Sequence, residues 1–287
     1  MTLSLGADSG SAAEKSFMDH YVQAREQDSP YVAPTRAEFD KARALFEQAF
    51  RGKADDALTK GFATLGFAVV RKKTDKHNYL IVEEFPDRRR GGGFYLIRLS
   101  SLAKKEGVLL TAPHTFHDEG TGKIARVMFL ITDAAGAGFN TVHRYSKSVV
   151  RGEADLAHVH ISYFQAFILA WAATHPEGIV AQIHGYDRAN RISPRGKEAG
   201  MIVSAGTDLP SPTFMKMRER LRKAYGESVL FFPFDTNELT AVENTNGQAL
   251  REKLFPGFIH IELSEVMRDK LNNDKNELKR LYGALSK

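Results

Sequence analysis

Three short apolar runs limit what this chain can fold into: residues 108–110, 179–183 and 258–263. Each reads as a buried strand, the last with a period of two. Between the first two lies SYFQAFILAWAAT, residues 162–174, apolar nearly all round as a helix buried against a sheet is. Residues 201–204 read as another strand, 213–225 as a basic amphipathic helix, and 266–285 as a closing helix. Strands alternating with helices give an α/β fold: a mostly parallel or mixed open sheet with helices on both faces. Parallel strands bring their carboxyl ends to one edge, where open α/β sheets hold their ligands.

Each of the three runs ends on polar groups. Behind the first, after Ala112-Pro113, come His114, His117, Asp118 and Glu119, and Gly120-Thr121-Gly122 then turns the chain into a helix near Lys123. Histidine with carboxylate is what a catalytic zinc needs, and an open position for water completes it. A polar loop of ordinary surface histidines has the same spacing. The second run ends on His184-Gly185, and a lone histidine there equally fits a strand cap. The third holds Glu262 between Ile261 and Leu263. A carboxylate in an apolar run is costly unless paired or functional; the plain structural partner is Arg268.

Earlier in the chain, Phe39, Ala42, Leu45, Phe46 and Phe50 have helical spacing, and a short helix is expected near 17–27. Residues 62–70, 77–84 and 94–99 read as strands, 88–93 as a hairpin turn and 134–138 as a flexible loop. The glycines of RRRGGG lead into a strand and lack phosphate-loop spacing.

The sequence from Ala112-Pro113-His114 to Glu119-Gly120-Thr121 resembles the metal motif of phage-type poly-γ-glutamate hydrolases, grouped with zinc carboxypeptidases and N-formylglutamate amidohydrolases. Ile183-His184-Gly185 is similar to that grouping's second metal segment, residues 157–162 to the segment before it, and 257–264 with Arg268 to its late motif. The resemblance spans roughly residues 105–270. It implies a carboxypeptidase- or phosphorylase/hydrolase-like sheet and a bacterial or phage zinc amidohydrolase or metallopeptidase. It also implies zinc on His114, Glu119 and His184, Glu262 as catalytic acid/base, and a peptide-like or acyl amino acid substrate with a free carboxylate. Two departures stand out. The loop reads HTFHDE where the grouping is glycine-rich, so His117 competes with Glu119 as ligand, and Asp118 or His117 can orient the ligands. The Asp-x-Asn-Arg substrate clamp is missing, leaving Arg144, Arg191 and His160 to hold the substrate. Other first-row metals, Fe(II) or Mn(II), suit a His/carboxylate set as well. The alternative function is a non-catalytic peptide- or glycan-binding module that keeps the fold.

Three segments follow: a flexible leader over 1–15, an N-terminal extension over 16–100 made of helices and a β-hairpin packed on the core, and a hydrolase core over 101–287. The 287 residues contain no cysteine, which excludes disulfides, thiolate nucleophiles and cysteine-based metal sites. That usage leans slightly towards an exported or periplasmic protein over a cytoplasmic one. A net charge of +5 without basic clusters gives nucleic acid no support, and no stretch of 18 apolar residues exists to span a membrane.

Overall fold

The computed structural model describes residues 20–25, 29–74, 77–102, 106–146 and 154–286. The expected leader lies outside them, and of the helix expected near 17–27 only residues 20–25 are described, with 20–24 helical. Helix α1 (Arg36–Phe50) starts at a capping box in which Thr35 and Glu38 satisfy each other's backbone N–H, and it buries the face from Phe39 to Phe50. Helix α2 (Asp56–Ala63), capped by Asp55, takes Phe62 into a helix, so the first strand, β1 (Phe67–Lys73), starts later than the apolar run suggested. Strands β2 (Asn78–Glu84) and β3 (Phe94–Arg98) form the expected antiparallel hairpin.

From there strands and helices alternate: β4 (Val108–Ala112), α3 (Thr121–Ile131), β5 (Gly136–Phe139), α4 (Tyr163–Thr174), β6 (Ile179–Tyr186), α5 (Pro194–Glu198), β7 (Met201–Ser204), α6 (Pro212–Tyr225), β8 (Val229–Phe231), α7 (Thr245–Glu252), β9 (Phe258–Ser264), α8 (Glu265–Asn273) and α9 (Lys275–Leu285). All nine strands join one sheet in the order β1-β2-β3-β5-β4-β6-β9-β7-β8. Its centre, β5-β4-β6-β9, is parallel, while β1, β2 and β3 on one side and the β9–β7 junction on the other pair antiparallel. The fold is α/β with a mixed open sheet.

Helices cover both faces. Leu110, Ala181, Ile183, Ile261 and Leu263 pack with α3, α6, α8 and α9 on one; Leu109, Val180 and Phe258 pack with α1, α2 and α4 on the other. Two expectations fail locally. Residues 136–139 are a strand because their glycines admit close neighbours: a Cβ at Gly136 would come within 2.9 Å of Leu96 O, and one at Gly138 within 3.0 Å of the Phe167 ring. The closing helix is broken into α8 and α9 at Asp274, which leaves helical backbone (φ −128°, ψ 105°) and caps α9 with its own side chain.

Candidate active site

The site follows from a parity. In β6, residues 179, 181 and 183 face the first core, so Gln182 and His184 face the other side of the sheet. The parallel register sets Gln182 beside His260 and His184 beside Glu262. Deeper along these strands the same face is closed by apolar residues of α1 and α4; at the carboxyl ends it carries four polar side chains. Strand β6 runs on to Tyr186, past the expected end at Ile183, so His184 is a strand residue paired with Glu262 of β9.

The loop from β4 to α3 supplies the rest. The N–H groups of His117 and Asp118 both donate to His114 O, at 3.0 and 2.8 Å, and this single turn stacks side chains 114 and 118. The turn ends at Gly120, whose left-handed φ of 84° and tight fit against Asn272 favour glycine. His114 Nδ1 and His184 Nδ1 both face Asp118 Oδ2, at 3.3 and 3.2 Å. The opposite nitrogens are also engaged: His114 Nε2 with Asp155 Oδ1 at 2.8 Å, and His184 Nε2 with Gln182 Oε1 at 3.1 Å. His114, Asp118 and His184 are all buried and place one donor atom each within 4.8 Å of one another, as do His184, His260 and Glu262.

Electrostatics separate the two carboxylates. Burial disfavours charge on Asp118, but the rings of His114 and His184 outweigh it, and the carboxyl stays far below the usual range. Burial pushes Glu262 up to about 8, reinforced by the neighbouring charge of Asp118. Among the described residues Glu262 Oε2 has no hydrogen-bond partner, and His260 Nε2 is 3.7 Å from its other oxygen. Arg268 does not pair with it; its guanidinium donates to the carbonyls of Leu263 and Tyr186 and locks the strand ends together. Burial lowers His184 to about 4, so this ring is neutral, whereas Asp118 and Asp155 outweigh burial at His114 and raise it.

A cleft of about 310 Å³ opens over these groups, walled by His117, Arg144, His158 and Arg191. Arg144 forms an ion pair with Asp155 and turns Nη1 to His114 Nδ1 at 3.3 Å. Arg191 is 3.7 Å from Glu238, and among the described residues its buried Nε has no hydrogen-bond partner.

Of the residues singled out from sequence, the cleft thus collects His114, Asp118, His184, Glu262, Arg144, Arg191 and, at its lip, His117. Glu119 and His160 are not among its walls. Both are exposed, Glu119 because the turn that buries side chain 118 sends its neighbour outward. The carboxylate beside the two histidines is therefore Asp118. Sequence reasoning overlooked Gln182, His260, Asp155, His158 and Asn244. The first two had a signal, a polar residue in an apolar run at the same parity as His184 or Glu262; Asp155 had none, lying 41 positions from His114.

A cation fits this donor set. A neutral imidazole carries one N–H, yet both nitrogens of the neutral His184 ring face oxygens. A positive ion between two ring nitrogens and one carboxylate oxygen resolves that conflict. Asp155 and Gln182, on the far nitrogens, are the supports metal-bound histidines usually have.

No family model matches the chain, and no curated protein sequence matches it. Among solved structures it is similar to gene product Atu2144 from Agrobacterium tumefaciens, at 15% identity over 64% of this chain and 90% of that one, with a TM-score of 0.43. It is also similar to a carboxypeptidase A candidate from Shewanella denitrificans OS-217, at 9% identity over 76% and 77% of the two chains, TM-score 0.43. A Zn-dependent exopeptidase from Parabacteroides distasonis ATCC 8503 is similar at 13% identity over 86% and 95%, TM-score 0.29.

Proposed function

We propose that the chain is a metal-dependent hydrolase that cleaves an amide bond in a peptide-like or N-acyl amino acid substrate. The observation that carries this is the pairing of two unlike acids in one cleft. Asp118, charged, is shared by two buried ring nitrogens, and Glu262, raised to about 8, lies across from them with His260 near one oxygen and, among the described residues, no hydrogen-bond partner for Oε2. A module that only bound ligands would not need a buried carboxylate with an oxygen left without a hydrogen bond, which costs stability.

His114, Asp118 and His184 would hold the metal, with zinc the best match to two nitrogens and one oxygen. When bound, zinc would polarise the scissile carbonyl and lower the pKa of a water towards ~7. Asp155 holds His114, and Gln182 holds His184, in the orientation that leaves Nδ1 towards the centre. In its ionised form, which the positive charge of a bound metal would favour, Glu262 would take the proton of the attacking water and return it to the leaving amine. Arg144 and Arg191, on the cleft wall, receive a substrate carboxylate through their planar N–H pairs.

The test is turnover of a panel of N-acyl amino acids, γ-glutamyl peptides and short peptides. Hydrolysis should stop with a zinc chelator, return with zinc, and fall on the order of 10²–10⁴-fold in Glu262→Gln. Hydrolysis indifferent to the chelator, or undiminished in Glu262→Gln, would contradict the assignment.

A further inference from the structure

Resting on the metal centre proposed above, we infer that Asn244 and Gln182 form a relay that decides which ring nitrogen of His184 bears the hydrogen. Both are thereby positioning residues for a bound metal. Oxygen and nitrogen of a side-chain amide, and the two tautomers of a neutral imidazole, are normally a choice. Here a helix cap makes it. Asn244 is the N-cap of α7, and its Oδ1 accepts from the N–H groups of Asn246 and Gly247, both at 3.1 Å. Its Nδ2 is therefore the group turned to Gln182, and it donates to Oε1 at 2.5 Å.

Gln182 cannot flip without setting its own N–H₂ against that donor. Nothing else holds it, since Gln182 Nε2 is buried without a partner among the described residues. The same Oε1 lies 3.1 Å from His184 Nε2, which must then carry the hydrogen. A neutral imidazole has only one, so the lone pair sits on Nδ1, 3.2 Å from Asp118 Oδ2, on the side of the donor cluster. Asn244, Gln182 and His184 are each no more than 3% exposed, so water does not compete for these bonds. The relay spans 62 positions of sequence between Asn244 and Gln182. It ties a ligand on β6 to the start of a helix that touches no metal.

Substitutions that keep the cap but change the donor isolate the relay. Aspartate caps helices as well as asparagine does but only accepts, so in Asn244→Asp the freed Gln182 amide turns its N–H₂ to the new carboxylate and to His184 Nε2. The ring hydrogen then moves to Nδ1 and blocks the ligand position. Asn244→Ser, a cap too short to reach Gln182, removes the same constraint without adding charge. Gln182→Glu keeps two acceptors and the original tautomer. The experiment is zinc competition against a chromophoric chelator on the full chain, with ring ¹⁵N spectra of His184 and melting of the metal-free proteins.

Zinc should bind roughly 10–100-fold more weakly to Asn244→Asp and Asn244→Ser, the range outer partners of a ligand are worth. Gln182→Glu should bind as tightly as wild type or tighter. The spectra should show hydrogen on Nε2 in wild type and on Nδ1 in Asn244→Asp, with the metal-free melting temperature unchanged. Wild-type affinity in both Asn244 variants, or hydrogen on Nε2 in Asn244→Asp, would overturn the relay. A wild type that binds no zinc would overturn the metal centre instead, and the ring spectra would still report on the relay.

Discussion

Among single residues the sharpest contrast is between neighbours. Asp118 and Glu119 differ by one methylene, yet Asp118 is buried against two histidines and Glu119 is in solvent. Asp118→Asn should weaken zinc binding by more than the roughly 10–100-fold of an outer partner, and Glu119→Gln should leave it near wild type. Competition titration decides; the reverse order would restore Glu119 as the ligand. The histidines and Glu262 were legible because each ends an apolar run, where burial makes a polar group conspicuous. The choice between residues 118 and 119 was not, because it depends on where a turn after His114 aims consecutive side chains. Asp155 and Asn244 were out of reach for another reason: the fold brings them to the site from 41 and 62 positions away from the groups they touch.

At the scale of elements, strands with long apolar runs and helices with clear periodicity were read close to their true bounds. Residues 201–204 match β7, and 162–174 match α4 with its Ser162 cap. What failed was the start of β1, whose apolar run begins inside α2, the closing helix, which breaks at Asp274, and β5, a strand through packing against Leu109, Leu96 and Phe167, which no local pattern encodes. The turn from β2 to β3 carries a testable strain. Glu84 is 7% exposed, and burial raises its carboxyl to about 7, although the N–H groups of Arg90 and Gly92 pull it down. A folded pKa above the unfolded one, about 4.3, means stability fully present below pH ~4.3 and lost as pH rises through 7. The loss should approach roughly 3–4 kcal/mol. Glu84→Gln keeps the acceptor but not the titration, so its stability relative to wild type should grow between pH 5 and 8 in denaturant unfolding. A difference that is constant with pH would contradict this.

For the whole molecule, nine strands form one sheet, and the centre of that sheet opens its carboxyl edge into a cleft with arginines on its wall. Among the described residues no helix is long and apolar enough to cross a membrane. The cleft's cations, Arg144 and Arg191, argue for an anionic end on the substrate. A free-acid substrate should therefore have a lower KM than its amidated twin, with Arg191→Ala removing the difference; equal KM values for the two would refute that preference. The account stands or falls on whether His114, Asp118 and His184 bind metal. The direct measurement is the metal content of protein purified without a histidine tag, by plasma mass spectrometry, for wild type and His184→Ala. About one zinc per chain is expected in a site of this kind, with loss of most of it in His184→Ala at unchanged secondary structure. A metal-free wild type whose melting temperature ignores both added zinc and chelator would contradict it, because a bound ion stabilises the folded state by mass action.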